Sequence, residues 1–148
     1  MADMGPTQAE QLAPPSTQNR AQWGWLSCTG LAAWAKDMGI EETVTPDNLQ
    51  SLAAHYLLNA KRDDGAPRDP VARFHLGNGA MVHAVHVKAD TSESGQVQSY
   101  GAMVNYLYDL SANAQNHEGF ADSFAVAAST DVKALARAAK KNDTKGTI

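Results

Sequence analysis

The run Gly77-Asn78-Gly79 is where this chain can most readily reverse direction. Asn-Gly and Gly-Asn pairs tolerate the positive φ of a tight type I′ hairpin, so a reversal is expected here. Ahead of it, residues 71–76 read Val-Ala-Arg-Phe-His-Leu behind Pro70. As an extended strand they place Val71, Arg73 and His75 on one face and Ala72, Phe74 and Leu76 on the other. His75 then ends a strand near a hairpin tip and shares its face with a guanidinium. A lone histidine in an apolar run suits a structural position as well as a chemical one, because neutral imidazole hydrogen-bonds readily in both.

Beyond the turn, residues 80–89 read as a second strand, with Met81, His83, Val85 and Val87 opposite Val82, Ala84, His86 and Lys88. Residues 103–110 read as a third, with Val104, Tyr106 and Tyr108 opposite Asn105 and Asp109. A helix is the competing reading of that segment. In residues 21–38, Trp23, Leu26, Leu31, Trp34 and Met38 approximate helical spacing, with Gly39 as the stop. Thr45-Pro46-Asp47 opens a second helix, with Thr45 as N-cap and Leu49, Leu52, Ala53, Tyr56 and Leu57 as its buried stripe. Residues 61–68 form a charged loop and residues 90–95 a polar one. Ser129-Thr130-Asp131 caps a last helix through Val132, Leu135 and Ala136, with Lys140 and Lys141 complementing its C-terminal dipole. The expected class is α+β: helices, then a short, mostly antiparallel sheet, then a C-terminal helix.

A chain of 148 residues, 43% hydrophobic, has room for one domain and a core. No apolar run approaches the roughly 20 residues of a membrane-spanning helix. Net charge is −4 and the basic residues are scattered, so no extended basic face exists to track a phosphate backbone. Membrane and nucleic acid are therefore not expected partners. Cys28 is the sole cysteine, which excludes an internal disulfide and a cysteine-cluster zinc site and fits a reducing compartment. Residues 1–20 are proline-rich and polar and are expected to form a disordered tail, with residues 21–148 as the domain. Asp3 and Glu10 argue against a transit peptide, which favours a cytoplasmic chain.

Other chemistries find little support. On a strand, His83 and His86 fall on opposite faces and could share a metal only across a bulge. A triad of Ser99, His75 and Asp90 lacks a nucleophile-elbow pattern. Neither phosphate-binding glycine motif is present.

Residues 69–80, DPVARFHLGNGA, resemble the histidine-bearing motif of malonyl-CoA decarboxylases, and residues 89–110, ADTSESGQVQSYGAMVNYLYDL, resemble the block that follows it. The resemblance covers roughly residues 47–138. It implies the C-terminal part of an N-acetyltransferase-like catalytic domain. It also implies a carboxy-lyase of fatty-acid metabolism that converts malonyl-CoA to acetyl-CoA and carbon dioxide without metal or organic cofactor. Decarboxylation leaves a thioester enolate, so the site needs a donor for the oxyanion and an acid for the α-carbon. By this resemblance His75 is catalytic, Tyr106 and Tyr108 assist it, and Arg73 and Asn105 contact substrate. Asn78 and Ser99 are structural on the same reading.

The chain also departs from the family pattern. The family's serine, in a Ser-Pro-Ile-Pro-Gly segment, has no counterpart before Asp69, and no CoA-pyrophosphate loop is found there either. Ala84 and His86-Val87 stand where an arginine and an Asn-Trp pair are expected. The chain is therefore expected to be a fragment or partial subunit that completes its site with a complementary polypeptide or in an oligomer. A non-catalytic remnant that binds acyl-CoA or protein is the alternative. On the catalytic reading, His75 should open on a cleft shared with Tyr106 or Tyr108.

Overall fold

A computed structural model describes the backbone of residues 20–87 and 91–146 and the side chains of residues 25–87 and 91–139. Of the expected tail, residues 1–20, only Arg20 is described, and it opens the first strand; residues 1–19 lie outside the described residues, as do the side chains of Lys140 and Lys141. In chain order the elements are β1 (Arg20–Ser27), α1 (Leu31–Asp37), α2 (Leu49–Asn59), α3 (Pro70–Gly77), β2 (Met81–His86), α4 (Glu93–Ser99), β3 (Met103–Asp109), α5 (Leu110–Ser123) and α6 (Thr130–Gly146). A 3-10 turn occupies Glu41–Thr43. The three strands form one antiparallel sheet in the order β1-β3-β2, and the class is α+β as expected.

β3 is the central strand, and Val104, Asn105, Tyr106 and Leu107 are all buried because the strand is covered on both faces. α2 buries Leu49, Leu52, Ala53, Tyr56 and Leu57, the stripe that its spacing requires. Its start is later than expected, with Asn48 at the N-cap. The Thr45 amide donates to Asn48 Oδ1 at 2.8 Å and the Asn48 amide to Thr45 Oγ1 at 3.2 Å, so Thr45 and Pro46 shape the preceding turn. α6 packs along α2 and buries Val132 and Ala136, and Ser129 Oγ accepts the Val132 amide at 3.2 Å.

Residues 70–77 are a helix, which overturns the expected strand and hairpin. Asp69 is its N-cap, with Oδ1 accepting the amides of Val71 at 2.8 Å and Ala72 at 3.1 Å. Pro70 fills the first helical position, where its missing N–H costs nothing. The glycine run closes this helix and turns no hairpin. Gly79, at φ 93°, donates to Leu76 O at 3.0 Å, and Ala80 donates to His75 O at 3.1 Å, the two bonds of a Schellman cap. Helical spacing sends Ala72, His75 and Leu76 inward and leaves Phe74 62% exposed, where a strand would have buried Phe74 with Leu76.

Three further expectations change. Residues 20–27 pair with β3 as a strand, with a register shift between Trp23 and Trp25, so the expected helix begins only at Leu31. Pairing distant in sequence overrode an approximate local periodicity. β2 shifts register between Val82 and Ala84, which breaks the strict alternation, and Val82 and Val85 are both buried. Of the loop expected at residues 90–95, Asp90 lies outside the described residues, and Glu93 to Gly95 open α4, whose N-cap Ser92 accepts the Gly95 amide at 3.0 Å.

Candidate active site

His75 sits on the last turn of α3 and packs against β3, where pleating carries Tyr106 and Tyr108 to the same face. The His75 ring stacks on Tyr106 with centroids 4.6 Å apart and planes 21° apart. Its Nδ1 lies 2.7 Å from the Tyr108 hydroxyl. Phe74 stands edge-on to it at 5.0 Å. Both tyrosines are thus beside the histidine, as the catalytic reading requires. The open cleft is not found: His75 is only 5% exposed, because a helix laid on a sheet encloses a ring that a hairpin tip would have displayed.

Burial lowers the His75 pKa, so the imidazole is neutral near pH 7. Burial also raises Tyr108, and raises Tyr106 well above its ordinary value with Asp69 and Cys28 adding to the effect. Both phenols therefore keep their protons. When Tyr108 donates to Nδ1, the histidine proton resides on Nε2, which fixes one tautomer.

Arg73 and His75 are two helical positions apart, about 200° around the axis, so they do not share a face. The Arg73 guanidinium donates to the carbonyls of Pro67 at 2.8 Å and Arg68 at 3.1 Å, bracing the loop that enters α3. Asn105 is buried on β3, but the pleat assigns it to the face opposite Tyr106 and Tyr108. Ser99 Oγ donates to Gly95 O at 2.9 Å, and Asn78 Nδ2 to Phe74 O at 2.7 Å, both structural bonds. The shift in β2 supplies the irregularity that His83 and His86 would need. Even so, among the described residues no group of three metal-capable side chains converges. Among them, too, no helix is long and apolar enough to cross a membrane.

Two features escaped the sequence reading. One is Asp69, whose position ahead of a proline is an N-cap signature. The other is a clamp from α5: Asn113 donates to Asn78 O at 2.9 Å, Asn116 to Gly79 O at 3.2 Å, and His117 Nδ1 to Gly77 O at 2.7 Å. These side chains recur at i, i+3 and i+4, one face of a helix. They grip the turn directly behind His75 from the helix that continues Tyr108's strand.

The family model for the malonyl-CoA decarboxylase C-terminal domain matches residues 7–146. The mitochondrial malonyl-CoA decarboxylase of Rattus norvegicus is 35% identical over 102 residues, covering 69% of this chain and 20% of the rat protein. That of Mus musculus is 38% identical over 87 residues, covering 59% of this chain and 18% of the mouse protein. The crystal structure of malonyl-CoA decarboxylase from Rhodopseudomonas palustris superimposes with a TM-score of 0.69 at 34% identity, covering 79% of this chain and 33% of that one. The structure from Agrobacterium vitis gives 0.65 at 34% identity, covering 74% and 34%. The chain spans about a fifth of the length of the curated relatives and about a third of the solved structures. With most of its length matched by the family's own domain, the chain belongs to the malonyl-CoA decarboxylase family, in its C-terminal domain.

Proposed function

We propose that this chain supplies the histidine side of a malonyl-CoA decarboxylase site, releasing carbon dioxide from malonyl-CoA to leave acetyl-CoA. The observation that carries the proposal is the clasp of His75 between the Tyr106 ring and the Tyr108 hydroxyl. When the carboxylate departs, its bonding pair passes into the thioester as an enolate. A neutral imidazole holding its proton on Nε2 can donate to that oxyanion without first losing charge to solvent. The lowered His75 pKa favours this role over that of acid to the α-carbon.

The family's serine and CoA loop are assigned in this proposal to a complementary polypeptide, and no metal or organic cofactor is invoked. The completed domain is read as N-acetyltransferase-like. Arg73 and Asn105 are retained as candidate substrate contacts, and a cytoplasmic setting is retained from the sequence reading. The 5% exposure of His75 favours a second reading, a non-catalytic domain that binds acyl-CoA or protein. Release of labelled carbon dioxide from carboxyl-labelled malonyl-CoA, measured with and without the complementary polypeptide, decides between them. Turnover on complementation supports the enzyme, and binding without turnover supports the alternative.

A further inference from the structure

The helix α5 contributes almost nothing to the core, and its packed face is turned on the segment that holds His75. Asn113, Asn116, His117 and Phe120 recur at i, i+3, i+4 and i+7, a single stripe of a helix. All four meet the same turn. The first three donate to the carbonyls of Asn78, Gly79 and Gly77 at 2.9, 3.2 and 2.7 Å. Phe120, the only buried residue of α5, has its ring 3.8 Å from the place where a Cβ on Gly77 would stand. Gly79 admits the helix, since a Cβ there would lie 2.6 Å from the Asn113 carbonyl oxygen. This turn is bonded to His75 itself, whose carbonyl accepts the amides of Asn78 and Ala80 at 3.1 Å each.

Carbonyls at a helix end need partners, and at a surface water supplies them. The Asn113 and His117 bonds lie at the surface, so making them with side chains adds only modest net stability. What the side chains add is position. α5 follows β3 without a loop: Asp109 ends the strand and caps the helix, with Oδ1 accepting the Ser111 amide at 3.0 Å. Tyr108, one residue earlier, meets the His75 ring. One continuous strand and helix therefore grip both the ring of His75 and the turn that follows it.

We infer that Asn113, Asn116 and His117 are positioning residues that hold the His75 ring in register with Tyr106 and Tyr108. Only their effect on rate rests on the catalytic reading of His75. Two variants of the 148-residue chain test the inference by NMR. Asn113→Ala, Asn116→Ala and His117→Ala together remove the donors while favouring helix, so α5 itself persists. Asn113→Asp with Asn116→Asp keeps both shapes and sets a carboxylate against each carbonyl. In each variant the shielding of the His75 ring protons by Tyr106 should fall and the single His75 tautomer should become a mixture, while amide shifts in α2 and α6 keep their wild-type values. Unchanged His75 signals in both variants overturn the inference. So does a change that spreads to α2 and α6, which would make the clamp a support of the whole fold. Combined with the complementary polypeptide, the alanine variant should lose up to about 100-fold in kcat with KM nearly constant, the scale of a displacement of about 1 Å. A complemented wild-type chain that does not turn over would refute the decarboxylase reading, and the NMR comparison would still decide the clamp.

Discussion

His75 Nδ1 and the Tyr108 hydroxyl meet at 2.7 Å, joining a helix end to the central strand across 33 residues of sequence. With Tyr108 as the donor, the bond selects the tautomer that the proposed oxyanion role requires. Tyr108→Phe deletes the hydroxyl and keeps the ring, so stability is expected to fall by about 0.5–1.5 kcal/mol, the net worth of one such bond. Nitrogen NMR of His75 should change from a single tautomer to a mixture. A spectrum identical to wild type would mean that something other than Tyr108 holds the ring.

Stability should depend on pH through His75. Its folded pKa lies below the ordinary 6.5 because burial opposes the charge. The unfolded chain therefore binds the extra proton more readily. The stability supplied by neutral His75 is full above pH 6.5 and is lost as pH falls through the lower folded value. Thermal melts should decline over that window, and His75→Gln should flatten the decline. An equal decline in the variant would assign the effect to other groups.

Asp69 caps the helix that carries His75, yet its own ionisation is opposed. Burial raises its pKa above the usual 3.8, and the two amide bonds only partly offset this. Folding thus loses stability as pH rises from 3.8 through the folded value. Asp69→Ala is expected to cost about 0.5–2 kcal/mol through the lost cap, while Asn, an equally good cap, should cost little. Urea denaturation of the two variants checks the ranking. An Asn variant as unstable as the Ala variant would contradict it.

Gly79→Ala should be a damaging change at a buried turn. The position has a φ of 93°, and a new Cβ would lie 2.6 Å from the backbone carbonyl oxygen of Asn113. A side chain in left-handed backbone costs about 1–2 kcal/mol before any clash. Because the obstruction is partly backbone, Asn113→Ala should not restore the loss, and melts of the double variant test this.

Legibility followed the length and uniformity of each pattern. β3 was readable because Val104, Tyr106 and Tyr108, residues that favour strands, recur at every second position, and α2 because its apolar stripe is complete. α3 was misread because Val-Ala-Arg-Phe-His-Leu alternates over too short a span to separate a strand from one and a half turns of helix. The deciding signals lay outside it, in Asp69-Pro70 and in Gly79 as a helix stop. β1 forms only by pairing with residues about 80 positions away, which no local window contains. α5 is polar along its length and buries only Phe120, so it carries no amphipathic signature. The His75–Tyr108 and His75–Tyr106 pairings came from family resemblance, and the helix that delivers His75 to them did not.

The most direct test compares malonyl-CoA turnover by wild-type and His75→Ala chains, each combined with a polypeptide bearing the family's serine and CoA loop. The isolated chain should turn over very slowly or not at all. The complemented wild type should release acetyl-CoA, and the complemented variant should fall by on the order of 100- to 1,000-fold, the usual loss when one preorganised donor is removed. Equal rates for wild type and variant would remove His75 from the chemistry and leave its clasp with Tyr106 and Tyr108 as a structural device.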